Sequence, residues 1–90
     1  MQRAVVTVVG KDHPGIIAKV ANTLADHQAN ILDLSQTLMD DIFTMSMLVD
    51  VTTLNENFAT LQTDLDVVGG QLGVEVHTQR EELFNTMSQV

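Results

Sequence analysis

Two segments, Ile31 to Met39 and Ile42 to Val51, flank Asp40-Asp41, and that junction restricts the fold more than any other feature of the chain. A two-residue turn there pairs Leu38 with Phe43, Leu34 with Met47 and Leu32 with Val49. On the opposite face it pairs Thr37 with Thr44 and Ser35 with Ser46. Apolar meets apolar and hydroxyl meets hydroxyl, the pattern that cross-strand pairing favours. The segment is therefore expected to be a β-hairpin, although Asp-Asp is a weaker turn signal than Asn-Gly. Gln36 opposite Met45 is the one discord. It is expected to be either a hydrogen-bonded polar residue beneath a helix or the mark of a bulge.

The rest of the chain builds around this hairpin. Arg3 to Val9 is β-branched and apolar on both faces, as a central strand requires, and Gly10 to Gly15 interrupts it. Ile16, Ile17, Val20, Ala21 and Leu24 follow at helical spacing, with Pro14 suited to the first turn. Thr53-Leu54-Asn55-Glu56 reads as a capping box for a second helix. Its stripe is Phe58, Leu61, Leu65 and Val68, closed by Gly69-Gly70. Val74, Val76 and Thr78 alternate with polar residues in a last strand, and Arg80 to Val90 reads as a short C-terminal helix.

The order β-α-β-β-α-β in a single domain of 90 residues implies an α+β, ferredoxin-like fold. Its antiparallel sheet of four strands has order 4-1-3-2, with both helices on one face. The other face is expected to carry Arg3, Val5, Thr7, Val9, Ile31, Asp33, Ser35, Thr37, Thr44, Ser46, Leu48, Glu75 and His77. That mixture suits partial cover by a second subunit or another partner.

Composition removes several functions that share this architecture. The net charge is −8 with only Arg3, Lys11, Lys19 and Arg80 as basic residues, so no footprint for nucleic acid or an anionic membrane can be assembled. Without Trp or Tyr, the aromatic platforms of RNA-recognition domains are missing. Without Cys there is no metallochaperone pair, no disulfide and no thiol nucleophile. The loop after the first strand has Lys11 where an acylphosphatase needs an arginine. His13, His27 and His77 have no metal-ligand spacing. No catalytic residue, metal ligand or cofactor is assigned, and an enzyme is not expected. The early apolar run is too short for a signal peptide or a membrane span, so a cytoplasmic location is expected.

The loop Gly10-Lys11-Asp12-His13-Pro14-Gly15-Ile16 carries the remaining information. With Asn30-Ile31, Asp33-Leu34-Ser35-Gln36-Thr37 and Phe43-Thr44-Met45, it resembles the ACT domain over essentially the whole chain. Within that superfamily the chain is most similar to small stand-alone bacterial ACT proteins, relatives of the glycine cleavage repressor-like ones. ACT domains commonly end the first helix on a glycine two residues before Asn-Ile. Here that position is Gln28, where a left-handed cap costs about 1 kcal/mol, so the helix end is expected to be shifted or strained.

The loop's chemistry is readable by itself. Amides of Gly15, Ile16 and Ile17 at a helix N-terminus favour an anion such as an amino-acid carboxylate. Asp12 either accepts from an α-ammonium group or caps the helix. Lys11 is either a solvated charge or neutralises the anion. The resemblance implies a homodimer paired side by side through the first helix and second strand. The candidate ligand-binding residues are then Lys11, Asp12, His13, Pro14, Gly15 and Ile16 of one subunit, facing Asn30 and Ile31 of the other. Two functions are expected to compete: a non-enzymatic sensor of an amino acid acting on a protein partner in trans, or an adaptor of the same fold without a ligand.

Overall fold

The computed structural model describes residues 1–83. Their order is β1 (Arg3–Lys11), α1 (Ile16–Asp26), β2 (Asn30–Met39), β3 (Ile42–Asp50), α2 (Phe58–Leu72) and β4 (Val74–Arg80). The four strands form one antiparallel sheet in the order β2-β3-β1-β4, the ferredoxin-like topology that the sequence implies. Residues 81–83 are helical, and the remainder of the helix expected over Arg80 to Val90 lies outside the described residues.

Alternate residues of the two inner strands build the core. Ala4, Val6 and Val8 of β1 and Phe43, Met45, Met47 and Val49 of β3 are buried toward the helices. Val20 and Leu24 of α1 and Leu61 and Leu65 of α2 close over them. β1 continues through Gly10, which pairs with Phe43 on one side and Val74 on the other. A β-carbon on Gly10 would lie 2.6 Å from Val74 Cγ1, so glycine is what lets these strands approach.

The hairpin pairs as expected from Met39↔Ile42 through Asp33↔Leu48, including Gln36↔Met45. Gln36 is therefore not a bulge, and it is exposed rather than beneath a helix. The irregularity falls instead between Ile31 and Asp33. Ile31, not Leu32, pairs with Val49, so Ile31 joins the helix side of the sheet and leaves the open face. Asp40 makes the turn with φ 57, a left-handed conformation that Asp tolerates better than most residues.

Both helix boundaries differ from the sequence reading in instructive ways. The N-cap of α2 is Asn57, whose Oδ1 accepts from the Thr60 amide at 2.8 Å. The Thr53–Asn55 segment serves α1 instead. Asn55 Nδ2 donates to the Asp26 carbonyl at 2.9 Å, the Asn55 amide to the His27 carbonyl at 3.2 Å, and Thr53 Oγ1 to the Gln28 carbonyl at 3.4 Å. Carbonyls at the end of α1 thus find partners on the following loop, as a helix end requires. α2 runs past Gly69-Gly70 and stops at Gly73, φ 72. Gly69 faces the sheet, where an added β-carbon would meet Val76 Cγ2 at 2.8 Å, whereas the same position on Gly70 is open.

α1 ends without a shift and with strain. Gln28 has φ 62. Its amide donates to the Ala25 carbonyl and that of Ala29 to the Leu24 carbonyl, each at 2.9 Å, which is the Schellman arrangement with Gln28 as its left-handed residue. Leu24 and Ala29, the apolar pair of that motif, are both buried. His27 is buried too, and its Nε2 lies 2.7 Å from Asp64 Oδ2, so it fastens α1 to α2.

Gln28→Gly is expected to stabilise the domain by about 1 kcal/mol, raising the thermal midpoint by roughly 4–8 °C. Thermal unfolding followed by circular dichroism reads this directly. The same measurement should place Gly69→Ala about 1–3 kcal/mol below the parent through overpacking. Gly70→Ala should gain about 0.5–1 kcal/mol of helix propensity.

Candidate functional site

β1 is hydrogen-bonded on both sides, so the loop leaving its C-terminal end has a fixed origin. Lys11 is the last paired residue, opposite Ile42, and is exposed. The Asp12 amide then donates to the Asp41 carbonyl at 2.9 Å, which ties the loop to the hairpin turn. His13 turns inward and its Nε2 meets the carbonyl of Leu72 in the last turn of α2. Its Nδ1 lies 3.1 Å from the Pro14 carbonyl. Pro14 precedes the helix rather than opening its first turn, because Gly15 is the N-cap.

Gly15 has φ 95, a region most side chains avoid, and its lack of a β-carbon leaves the approach to the backbone open. No side chain caps α1, and its first turn contains no acidic residue. Asp12 is therefore not the helix cap; it is exposed and lines the same concavity as Ile16 and Ile17. Asp12, His13, Gly15, Ile16, Ile17 and Phe43 line a small, mostly apolar concavity at this end of the sheet. The geometry thus joins an electropositive helix terminus, an adjacent carboxylate and an apolar floor. Those are the elements that recognise a small zwitterion.

Asn30 and Ile31 are elsewhere. They open β2, beyond the C-terminal end of α1, whose 11 residues span about 16 Å. Asn30 is exposed and pairs with Asp50. The hydroxyl and amide of Thr52 hold the Asp50 carboxyl below the usual carboxylate range. One chain therefore brings Lys11 through Ile16 together and leaves Asn30 and Ile31 at the far end of the same helix.

The sequence reading missed the state of β2 itself. All ten of its residues are exposed. Leu34 and Leu38 point to the helix side, opposite buried Met47 and Phe43, yet Leu38 is 58% exposed and Met39 68%. The signal was available in the strand order, because β2 is an edge strand, paired only to β3 among the described residues. Among the larger depressions, those near Arg3 and Glu81 and between α2 and β4 are built differently. In the first, Arg3 is already engaged by Glu81 at 2.6 Å; beside the second, Arg80 lies over the Phe58 ring at 4.3 Å. Among the described residues no cluster of His, Asp or Glu is suited to a metal ion, and no helix is long and apolar enough to cross a membrane.

Comparison with known proteins adds independent support for the fold. A family profile described as the ACT domain matches residues 2–79. A UPF0237 protein of the archaeon Methanocaldococcus jannaschii is 47% identical over 90 residues, covering 100% of both chains. Among solved structures, an ACT domain protein from Streptococcus pneumoniae superposes with a TM-score of 0.80 at 36% identity, over 92% of this chain and 93% of its own. A glycine cleavage repressor-like protein matches with a TM-score of 0.77 at 29% identity, over 88% of this chain and 45% of its own.

Proposed function

The chain belongs to the ACT domain family, and from that membership we propose that it is a non-enzymatic regulatory module. It binds an amino acid or a similar small zwitterion at a homodimer interface and acts on a partner protein in trans, in the cytoplasm. The observation that carries this reading is the uncapped N-terminus of α1, which shares its concavity with the exposed Asp12. A ligand carboxylate accepts from the amides of Ile16 and Ile17, and its ammonium group donates to Asp12. Lys11 adds positive charge at the rim. Gly15 admits the ligand to the backbone, and Ile16 and Phe43 supply the apolar floor. Asn30 and Ile31 of the second subunit close the other side.

The exposed edge of β2 supports the dimer. Two-fold antiparallel pairing of β2 with its copy satisfies the unpaired edge and covers Leu34 and Leu38. It also places the Asn30 end of one chain against the loop of the other, because the loop and Asn30 lie at opposite ends of the same strand-helix unit. A free edge with this much apolar surface is otherwise an aggregation hazard.

A panel of the standard amino acids, each tested by thermal unfolding, should contain one that stands clear of the rest. At about a hundred times its dissociation constant it contributes roughly 2.7 kcal/mol. Asp12→Ala combined with Asn30→Ala should remove that shift while the protein stays folded and dimeric. A flat panel with the parent protein favours the adaptor reading. Leu34→Asp should convert the dimer to a monomer in sedimentation experiments, since it places a charge in the centre of the covered edge. An unchanged sedimentation coefficient removes β2 from the interface.

A further inference from the structure

We propose that His13 is a positioning residue, the strut that couples the ligand loop to the C-terminal end of α2, and not a ligand contact. The inference deepens the amino-acid reading above and rests on it for the role of the loop. Its basis is a juxtaposition of residues far apart in sequence. His13 lies in the middle of the loop, half-buried, with Nε2 on the Leu72 carbonyl and Nδ1 turned to the Pro14 carbonyl. Both ring nitrogens are therefore directed at the backbone of this chain.

The residue that precedes the loop bears on the same place. Gly10 pairs with Val74 and packs against it so closely that no β-carbon fits. The loop is thus held at two points, Gly10 and His13, to one short segment, Leu72-Gly73-Val74, where α2 turns into β4. That segment is built to transmit a displacement. Leu72 is the last residue of α2, and Gly73 holds a left-handed cap whose amide returns to the carbonyls of Gly69 and Gly70. Closure of the loop on a ligand pulls on a carbonyl of the final helical turn through an aromatic ring, a rigid connector with few rotatable bonds. The consequence is movement at the α2–β4 junction, on the side of the sheet away from the β2 edge. A sensor that acts in trans needs such a route from its ligand to a surface its own dimer leaves free.

The test compares His13→Leu, which keeps bulk and loses the donor, with His13→Gln, whose Nε2 restores a donor at similar reach. Amide hydrogen exchange is measured by NMR on the full chain. His13→Leu is expected to speed exchange of both the Asp12 and Gly73 amides by about fivefold or more, and His13→Gln to return both close to the parent. The strut is overturned if Gly73 keeps its parental protection in His13→Leu, or if His13→Gln behaves as His13→Leu does. Each amino acid of the panel is then added to the three proteins. In the parent and His13→Gln, the one that moves the Ile16 and Ile17 resonances should also move those of Gly73 and Val74; in His13→Leu it should move the loop alone. Movement of Gly73 in His13→Leu contradicts the coupling. If no amino acid moves the loop in any protein, the ligand reading fails, while the exchange comparison still decides whether His13 is a strut.

Discussion

The double hydrogen bonding of β1 is the constraint from which the rest of this structure takes its position. β1 is paired along its length to β3 and over most of it to β4, so its C-terminal end cannot drift with either neighbour. Between Lys11 and Ile16 the chain must leave a fixed strand, reverse and enter a helix, and the left-handed backbone of Gly15 makes that reversal possible. The geometry leaves the first turn of α1 without a side-chain cap and Asp12 exposed on the same concavity. The open helix terminus attracts an anion, and the exposed carboxylate attracts a cation. Together they suit a ligand that carries both charges.

The two edges of the sheet are treated differently. At β4 the side chain of Gln62 donates to the Thr78 carbonyl at 2.7 Å, so α2 shields the strand that it covers. At β2 no helix among the described residues does the equivalent, and apolar side chains are exposed on the side that faces the core elsewhere in the sheet. A net charge of −8 opposes unspecific association of such an edge. In the proposed dimer the interface and the ligand site would be one feature, because pairing would bring Asn30 to a loop about 16 Å from it along α1.

Much of this was legible in the sequence, and what was not has identifiable physical causes. Strand order followed from the succession of elements, and hairpin register near the turn and the composition of the core from alternation and from the turn itself. The Leu32 bulge did not, because alternation carries no record of where an extra residue is absorbed. Once it is absorbed, Ile31 changes face. Thr53-Leu54-Asn55-Glu56 has the spacing of a capping box, but its polar groups serve the end of α1, a contact that depends on tertiary placement. Gly69-Gly70 looked like a helix stop, and Gly69 is instead a contact point where α2 approaches Val76. Gln28 shows the reverse: the departure from glycine was visible in the sequence, and the left-handed conformation persists at that position because the buried pair Leu24 and Ala29 holds the motif closed. His13 could be counted among the loop residues from sequence, whereas its attachment to Leu72 joins positions that no local pattern connects.

The central claim is that one binding site is assembled from two chains, Asp12 on one and Asn30 on the other. The direct measurement is calorimetry on Asp12→Ala and Asn30→Ala as separate proteins and then mixed in equal amounts, with the amino acid that stabilises the parent. Each variant by itself should bind none. After mixing, half of the dimers pair unlike chains, and each of these regains one intact site, so about a quarter of the parental capacity should return. Mixing that restores nothing, or either single variant binding at full capacity, would contradict a shared site.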